Sequence, residues 1–423
     1  MTEMFTSGDK SETRRLNKPR PGTTLEHCME RILLLGAGKI GGAICKFLCH
    51  TGDFEVVVAD TSETALARLA EVPHATTHRI DVDQEGALEE ALRGCRAVIS
   101  ALSYSHNLRV AKAAVATGAS YFDLTEDVRT ARQVREAAGA AAAGQVFMPQ
   151  CGLAPGFVSI VANDLARRLD EVESIKMRVG ALPLYPSNAL KYNLTWSTDG
   201  LINEYCNACE AIRDGAYAEV LALEGYENFS VDGVRYEAFN TSGGLGTLCE
   251  TFQGRVQQLD YKTVRYPGHR ELIDFLVNEL KLRDRREVFR DILENAIAMT
   301  LQDVVIVFCT VTGRRKGRLT QVTDARKVYH SVVHGEMWSA IQITTAAAVC
   351  AAVDLHVAGK LPTGGHVRQE HIALDDFLAN RFGQYYAIDN PTEVKVQPVQ
   401  GDVGSSWQIL SRREANPDGA PES

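Results

Sequence analysis

The chain has 423 residues, of which 45% are hydrophobic and 23% charged, and its formal net charge is −9. This composition is typical of a soluble globular protein of two or three domains, and it excludes the basic surface of a nucleic-acid-binding protein. The ten cysteines are scattered among apolar neighbours, as expected for free thiols in a reducing compartment. We therefore expect a cytoplasmic protein that binds neither nucleic acid nor membrane. Its one CxxC lacks a second pair, so we also expect no metal site.

The first part of the chain alternates strands and helices. Residues 1–29 are polar and are predicted to be a disordered tail. A short apolar run, Ile32 to Leu35, is typical of a central parallel strand, and the strands that follow it are FEVVVAD, THRIDVD, AVISALS, SYFDLT and QVFMPQ. The predicted helices between them are 62–70, 85–92, 107–117 and 127–142. The alternation predicts an α/β fold, with a Rossmann-type doubly wound parallel sheet over residues 30–156.

The pattern changes after Gly152, Pro155 and Gly156. Residues 157–333 are predicted to form a second, α+β domain for substrate binding and oligomerisation, with helices at 201–213 and 271–280. Its predicted strands are SIKMRVGALP, KYNLTWS, VRYEAFNTSGG and VQQLDYKTVRY, followed by the hairpin DVVIVFCTVTGRRKGRLTQVT.

The last part of the chain is predicted to return to the first domain. Residues 334–389 contain an Ala-rich stretch that is interrupted by Asp354 and His356, which indicates a buried helix rather than a membrane span. We expect this segment to pack on the Rossmann domain. Residues 390–423 are polar and are predicted to be a tail.

Gly36-Ala-Gly38-Lys39-Ile40-Gly41 is a GxGxxG motif between a strand and a helix. Gly36 permits a tight turn, Gly38 lets the backbone approach a pyrophosphate, and Gly41 lets the helix pack closely on the strand. Lys39 and Ile40 open the helix, whose N-terminal amides and dipole favour phosphates. The motif predicts a dinucleotide site.

Asp60 ends the second strand, nineteen positions after Gly41. A carboxylate at this position accepts hydrogen bonds from the ribose hydroxyls and repels a 2′-phosphate, which predicts NAD as the cofactor. Arg68 or Arg79 could instead cover a phosphate. Asp81, at the end of the third strand, is a candidate neighbour of the adenine.

The nicotinamide half of the cofactor should pass the end of the fourth strand, at Ala101, Leu102 and Ser103. A substrate pocket must face the same edge of the sheet. Asp123 lies just beyond the fifth strand and is a candidate for that pocket. Glu126 and Asp127 follow Thr125, and here the start of a helix is the favoured interpretation.

The stretch QLDYKTVRYPGH, residues 258–269, concentrates three cations in an acidic chain. If it is a strand, Asp260 and Lys262 share one face, whereas Thr263 and Arg265 lie on the other. The cations therefore need not meet, and a basic edge strand remains an alternative. Arg265 could bind a carboxylate with both arms of its guanidinium.

The chain resembles the saccharopine dehydrogenase family in LGAGKIGG, CGLAPGFVSIVANDLA, DEVESIKMRVGALP, FNTSGGLGTL and LDYKTVRYPGHRELI. These stretches cover roughly residues 31–280, and the later ones are more specific than the glycine motif. Within the family the chain most resembles the lysine 6-dehydrogenase branch. The resemblance implies a Rossmann domain, an inserted substrate domain, a homo-oligomer (dimer or tetramer) and an amino-acid substrate that is oxidised at a C–N bond.

The resemblance thus predicts NAD-dependent oxidative deamination of L-lysine at C6, giving ammonia and allysine, which cyclises to piperideine-6-carboxylate. The alternatives are a saccharopine dehydrogenase, which acts on a secondary amine in lysine metabolism, and a non-catalytic NAD-binding regulatory protein. The ammonium must lose a proton before it can be oxidised, and the candidate catalytic bases are Asp123, Lys262 and His269. The candidate contacts for the rest of the substrate are Arg265, for its carboxylate, and Tyr192, Asn193, Asp199, Asn240 and Thr241.

Overall fold

The structure is a computed structural model that describes residues 29–387, 395–398 and 407–410. The predicted N-terminal tail lies outside the described residues, apart from Met29. The stretch that was predicted to be a C-terminal tail contains two short strands, and the rest of it also lies outside the described residues.

The first domain is built on a seven-stranded sheet in the order β17-β6-β5-β4-β1-β2-β3, in which every pair of neighbours is parallel. This is the predicted Rossmann-type doubly wound sheet. The strands of the sheet are β1 (Glu30–Leu35), β2 (Phe54–Asp60), β3 (Ala75–Arg79), β4 (Ala97–Ser100), β5 (Ser120–Asp123), β6 (Val146–Met148) and, from the end of the chain, β17 (Gly365–His366).

Helices connect the strands of the parallel sheet, as the alternation predicts. The helix predicted over 107–117 has the predicted length. The helix predicted over 127–142 is shorter: its α-helical part ends at Ala137, and a short 3₁₀ turn follows. The helices are α1 (Lys39–His50), α2 (Glu63–Ala67), α3 (Ala87–Ala91), α4 (Asn107–Thr117) and α5 (Val128–Ala137).

The second domain is a mixed sheet in the order β14-β13-β7-β12-β11-β10-β19-β18, with β8 joined to β12 and β9. The central strand β7 is parallel to β12 and antiparallel to β13. The longer strands are β7 (Glu171–Pro183), β11 (Val234–Asn240), β12 (Gln258–Arg265), β13 (Asp303–Arg315) and β14 (Arg318–Tyr329). The shorter strands are β8 (Cys209–Arg213), β9 (Ala216–Val220), β10 (Glu227–Val231), β15 (Ser331–Val333), β16 (Glu336–Trp338), β18 (Lys395–Pro398) and β19 (Trp407–Leu410).

Seven helices accompany this sheet or join the two domains in the described part of the chain. They are α6 (Phe157–Arg167), α7 (Thr198–Cys206), α8 (Leu248–Phe252), α9 (His269–Asp274), α10 (Arg286–Ala296), α11 (Ala340–Val357) and α12 (Leu374–Ala379).

Two predicted elements of the second domain differ from the structure. The helix predicted over 201–213 ends at Cys206, and a strand begins at Cys209, because the buried Ile212 pairs with Leu259 of β12. KYNLTWS is not a strand and makes one isolated bridge, between Leu194 and Met299. Both differences arise from pairing with distant segments, which a local pattern does not encode.

Helix α11 belongs to the interior of the protein. By length and composition it could span a bilayer, with a mean hydropathy of 1.5, but 83% of it is buried inside the protein, as the interrupted Ala-rich pattern predicts. It packs on α1 and β5 of the first domain and on β13 of the second. Together with β17, which extends the parallel sheet, it carries the end of the chain back to the first domain. The two sheets therefore share one continuous core.

Candidate functional site

A cavity of about 620 Å³ lies between the two domains. One wall is formed by the ends of β4 and β5, and the other by β7, β12 and α7. In open α/β sheets, ligands bind outside the carboxyl ends of the parallel strands, so this cavity lies where a substrate should meet a dinucleotide.

The glycine turn has the geometry of a dinucleotide site. Gly36 has a φ of 100°, and a Cβ there would lie 2.8 Å from the carbonyl oxygen of Ala101. A Cβ at Gly41 would lie 1.9 Å from the carbonyl oxygen of Gly36, so helix and turn meet too closely for a side chain. A Cβ at Gly38 would have no atom within 4 Å. The residues therefore fit a pyrophosphate, which would occupy the open space in front of Gly38, against the first amides of α1.

Asp60 lies beside this turn. Its carboxylate accepts hydrogen bonds from the amides of Ala37, at 2.7 Å, and Ser62, at 2.8 Å. Arg79 donates to the carbonyl of Thr61 at 3.3 Å and lies 3.8 Å from the carboxylate of Glu63. Two carboxylates and one guanidinium thus lie just past the end of β2, where the adenosine ribose is expected.

Of the remaining predicted cofactor residues, four line the cavity, whereas Lys39 and Asp81 do not. Ile40, Ala101, Leu102 and Ser103 line the cavity. The ammonium of Lys39 instead contacts the sulfur of Met299 at 2.9 Å, across the domain boundary. The exposed Asp81 accepts a hydrogen bond from the amide of Asp83 at 2.9 Å.

Arg265 is the buried cation of the cavity, with 3% of its surface exposed. Its Nη1 donates to Thr263 Oγ1 at 2.6 Å and to the carbonyl of Val264 at 2.9 Å, and its Nε donates to the hydroxyl of Tyr205 at 3.2 Å. Its Nη2 makes a longer contact of 3.3 Å with Glu204. Neutral acceptors of the second domain therefore fix the guanidinium.

Two tyrosines and a histidine support Arg265 from behind. The guanidinium lies 5.0 Å from the ring centre of Tyr192, close enough for a cation–π contact. His269 is 1% exposed and does not line the cavity. Burial, and secondarily Arg265, lower its pKa to about 3, so its imidazole stays neutral at ordinary pH. The structure thus places His269, a predicted catalytic base, behind the cavity wall, next to Tyr205.

The cavity is lined by more carboxylates than cations. Among the described residues that line it, Glu126, Asp199 and Glu204 are acidic, whereas Arg265 and Arg286 are basic. Burial raises the pKa of Glu204 to about 7 and also raises the pKa of Glu126. Asp199, predicted to contact substrate, does line the cavity, but its side chain is 63% exposed and lies 3.3 Å from Arg290.

Two of these charged groups were not predicted from the sequence, and a third was assigned to a helix terminus instead of the cavity. Glu204 and Arg286 carry no motif, and Glu126 was interpreted as part of a helix start. The helix instead begins at Val128, because Asp127 is the N-cap of α5 and accepts a hydrogen bond from the amide of Thr130, so Glu126 lies just before the helix rather than in its first turn. The sequence offers one weak indication of Glu204. Gly200 and Glu204 are four positions apart and therefore share one face of α7, and this face lines the cavity.

Asp123, the second predicted base, is fully buried and does not line the cavity. Its carboxylate accepts hydrogen bonds from Tyr121 Oη at 2.6 Å, Asn107 Nδ2 at 3.2 Å, and the amides of Thr125 and Gln150 at 3.0 and 2.9 Å. Burial raises its pKa, and these hydrogen bonds oppose the rise. The carboxylate ties the end of β5 to the loop after β6.

Lys262, the third predicted base, lies on the opposite face of β12 from the cavity. Its ammonium is 2.9 Å from Glu227, which Arg178 also contacts at 2.5 Å, and Arg178 lies 2.5 Å from Asp260. The predicted alternation is therefore confirmed, because Asp260 and Lys262 share this buried ionic cluster while Arg265 faces the cavity. Burial lowers the pKa of Lys262, as does Arg178.

Four predicted substrate contacts are buried beside the cavity without lining it: Tyr192, Asn193, Asn240 and Thr241. Asn193 donates to the carbonyl of Ala298 at 3.0 Å, and Asn240 donates to the carbonyl of Leu221 at 3.3 Å. The hydroxyl of Thr241 has no hydrogen-bond partner within the described residues. Ser242, the next residue of the same loop, does line the cavity. No group of His, Cys, Asp and Glu side chains in the described residues is arranged to hold a metal ion.

A doubly wound parallel sheet with a glycine turn, facing a second sheet domain across a cavity that contains charged side chains, defines a two-domain pyridine-nucleotide-binding fold of the oxidoreductase type. Family models identify it further. The saccharopine dehydrogenase NADP binding domain matches residues 32–148, and the saccharopine dehydrogenase C-terminal domain matches residues 152–383. The second match alone covers more than half of the chain, so the chain belongs to the saccharopine dehydrogenase family.

Similar proteins include fungal enzymes named saccharopine dehydrogenase [NADP(+), L-glutamate-forming]. The one from Schizosaccharomyces pombe is 25% identical over 266 residues, or 59% of this chain and 58% of the relative. The one from Saccharomyces cerevisiae is 24% identical over 274 residues, or 62% of this chain and 60% of the relative. The match thus spans about three fifths of each relative.

One solved structure shares the fold closely. The apo saccharopine dehydrogenase (L-Glu forming) from Saccharomyces cerevisiae aligns with a TM-score of 0.68 at 17% identity, covering 82% of this chain and 96% of that one. At this identity the structural similarity supports the fold alone, namely a parallel sheet domain joined to a mixed sheet domain.

Proposed function

We propose that the protein is a pyridine-nucleotide-dependent dehydrogenase that oxidises a C–N bond of an amino-acid-derived amine in lysine metabolism. One observation carries the proposal: a single cavity joins the end of β4, at Ala101, Leu102 and Ser103, to the fixed guanidinium of Arg265 and a group of carboxylates. The bound dinucleotide would supply the acceptor for a hydride. Arg265 would hold a substrate carboxylate, and the carboxylates would receive its ammonium groups.

The first candidate substrate is saccharopine, a secondary amine. It is supported by the family membership and by the activity for which the fungal relatives are named. A substrate with several carboxylates requires more than one cation, and the cavity offers Arg265 and Arg286. Arg286 donates to the side-chain oxygens of Asn203 at 2.9 Å and Asn207 at 2.7 Å, neutral groups that leave its charge available to a ligand.

The second candidate substrate is L-lysine, oxidised at C6. The residues that line the cavity support it, because three acidic side chains and two guanidiniums can pair with a substrate that has two ammonium groups and one carboxylate. The two candidates thus differ in the sign of the ligand charge that the cavity should prefer.

The proposed cofactor is NAD, although the matching family model and the fungal relatives are named for NADP. The support is the position of Asp60 at the end of β2, beside the glycine turn. A 2′-phosphate would meet the carboxylate of Asp60 there. Replacing Asp60 with Ser should therefore narrow the difference in affinity between NADH and NADPH.

The test is a matrix of two cofactors and four amines. Purified protein is mixed with NAD or NADP and with saccharopine, L-lysine, ornithine or diaminopimelate, and the absorbance of the reduced nicotinamide is followed. We expect turnover with saccharopine or lysine and loss of kcat/KM in an Arg265→Met variant. Dinucleotide binding without turnover of any amine, even at high concentration, would instead favour the regulatory protein.

A further inference from the structure

Glu204 occupies a particular position in the cavity. It lies on α7, four residues after Gly200, and only 13% of its side-chain surface is exposed. It lines the cavity, and its one ion pair within the described residues is the 3.3 Å contact with Nη2 of Arg265. A nearly buried carboxylate with a single long ion pair, at the wall of a substrate cavity, is a candidate for more than structural support.

The partners of Arg265 do not depend on Glu204. Thr263, Val264 and Tyr205 hold Nη1 and Nε with three hydrogen bonds, of which the shortest is 2.6 Å. Only Nη2 meets Glu204. An incoming carboxylate can therefore take Nη2 without moving the guanidinium, and Glu204 then loses its ion pair.

We propose that Glu204 accepts the proton of the substrate ammonium, and that the substrate carboxylate activates it by replacing it at Arg265. The inference rests on the proposed function, because it requires an amine substrate with a carboxylate. One N–H bond of the ammonium breaks and one O–H bond forms on Glu204. The nitrogen lone pair then assists departure of a hydride from the adjacent carbon to the oxidised pyridine nucleotide, which leaves an iminium ion for water to hydrolyse.

The electrostatics of the site agree with this exchange. Burial is the main cause that raises the pKa of Glu204 to about 7, Arg265 lowers this pKa, and Glu126 raises it. When a substrate carboxylate neutralises Arg265, the opposing effect weakens and the pKa of Glu204 rises further, towards that of an ammonium. The other titratable groups that face Glu204 are Tyr192, Tyr205, Tyr261 and Cys209, whose pKa values are all raised, so they remain neutral.

The other acids that line the cavity fit this role less well. Asp199 is 63% exposed and lies 3.3 Å from Arg290. Glu126 lies on the first domain, in the loop that precedes α5, and has no ion pair with Arg265. Among the described acids that line the cavity, Glu204 alone forms an ion pair with the group that binds the substrate carboxylate, so substrate binding would activate Glu204 and not the others.

The test compares Glu204→Gln with Glu210→Gln across pH. Glu210 is a matched control, because it is also largely buried, is paired with Arg132 at 2.7 Å and has a raised pKa, but it does not line this cavity. In Glu204→Gln we expect kcat to fall by roughly 10² to 10⁴, as is typical for loss of a general base, with substrate KM changed by less than about fivefold. The acidic limb of the kcat/KM profile, which rises through about pH 7 in the wild-type protein, should disappear. Glu210→Gln should keep the wild-type kcat and the acidic limb of the kcat/KM profile.

A second variant separates chemistry from folding. In Glu204→Ala, added formate should restore part of kcat, because a small carboxylate can enter the space of the lost side chain; a merely structural residue would show no such rescue. The inference is overturned if Glu204→Gln keeps the wild-type rate and acidic limb, or if Glu126→Gln alone abolishes that limb. If the wild-type protein oxidises no amine at any pH, the proposed function fails first, and this inference fails with it.

Discussion

Nε2 of His269 lies 2.9 Å from the phenol oxygen of Tyr205. On the other side of the ring, Nδ1 lies 2.8 Å from the carbonyl oxygen of Leu190, which can only accept, so Nδ1 carries the proton and Nε2 accepts from Tyr205. The oxygen of Tyr205 in turn accepts from Nε of Arg265. A neutral imidazole thus sets the orientation of the cation in the cavity, although it does not reach the cavity itself.

We expect His269→Phe to weaken substrate binding more than it slows chemistry. The change keeps an aromatic ring but leaves the O–H donor of Tyr205 and the carbonyl of Leu190 without their partners, at a cost of about 1–3 kcal/mol for each buried group. His269 no longer holds the hydroxyl of Tyr205 in place for Nε of Arg265, so the guanidinium that should bind the substrate is less well oriented. The KM for the substrate should therefore rise by a larger factor than kcat falls. Steady-state kinetics measures both, and an equal fall in kcat with unchanged KM would contradict the positioning role.

The same variant should change the dependence of stability on pH. The pKa of His269 is about 3 in the folded state and near 6.5 when unfolded, so between these values the unfolded state binds the extra proton. This group therefore makes the free energy of unfolding decrease as pH falls from about 6.5 towards 3. Denaturant titrations should show a shallower decrease in His269→Phe, and parallel curves would count against the buried neutral imidazole.

Lys262→Met should affect stability rather than catalysis. Glu227 keeps Arg178 as a partner after the change, so we expect a loss of roughly 1–3 kcal/mol, less than for a buried carboxylate left alone. Both kcat and KM should stay within about twofold of wild type, since Lys262 lies on the far face of β12. Arg265→Met, on the cavity face of the same strand, is the comparison. A large fall in kcat for Lys262→Met with unchanged unfolding would restore Lys262 as a catalytic base.

The contrast between Lys262 and Arg265 shows what could be predicted from the sequence. Strand alternation separates the two side chains, and a glycine turn between an apolar strand and a helix identifies the dinucleotide site, because both signals are local. The sequence does not show which face of β12 meets the cavity, since this depends on its pairing with β7. Glu204 and Arg286 have no local signal at all, because they reach the cavity only through the packing of α7 and α10.

Gly38→Ala and Gly41→Ala should separate cofactor binding from folding. A Cβ at Gly38 meets no atom within 4 Å, so the variant should unfold at the wild-type temperature, yet its methyl group would obstruct the pyrophosphate. We expect its Kd for the dinucleotide to rise by at least about tenfold, or about 1.4 kcal/mol.

A Cβ at Gly41 would lie 1.9 Å from a backbone oxygen, so that variant should lose both affinity and roughly 2–5 kcal/mol of stability. Calorimetry and thermal unfolding give the two readouts, and equal affinities in Gly38→Ala and wild type would argue against a pyrophosphate at the turn.

Gly200→Ala should alter the substrate cavity at a moderate cost to the fold. Gly200 lies in the first turn of α7, where alanine favours the helix by up to about 1 kcal/mol. The added Cβ would lie 2.3 Å from the ring of Trp196 and 3.1 Å from Oε1 of Glu126, and both side chains line the cavity. The ring has to rotate, so KM for the amine should rise, and because the ring also packs on the core the free energy of unfolding should fall by about 1–3 kcal/mol. Gly42→Ala, in α1, is the stability control, because its Cβ would meet only Leu69, at 3.8 Å. Unchanged KM in Gly200→Ala would show that the amine binds away from Trp196 and Glu126, elsewhere in the cavity.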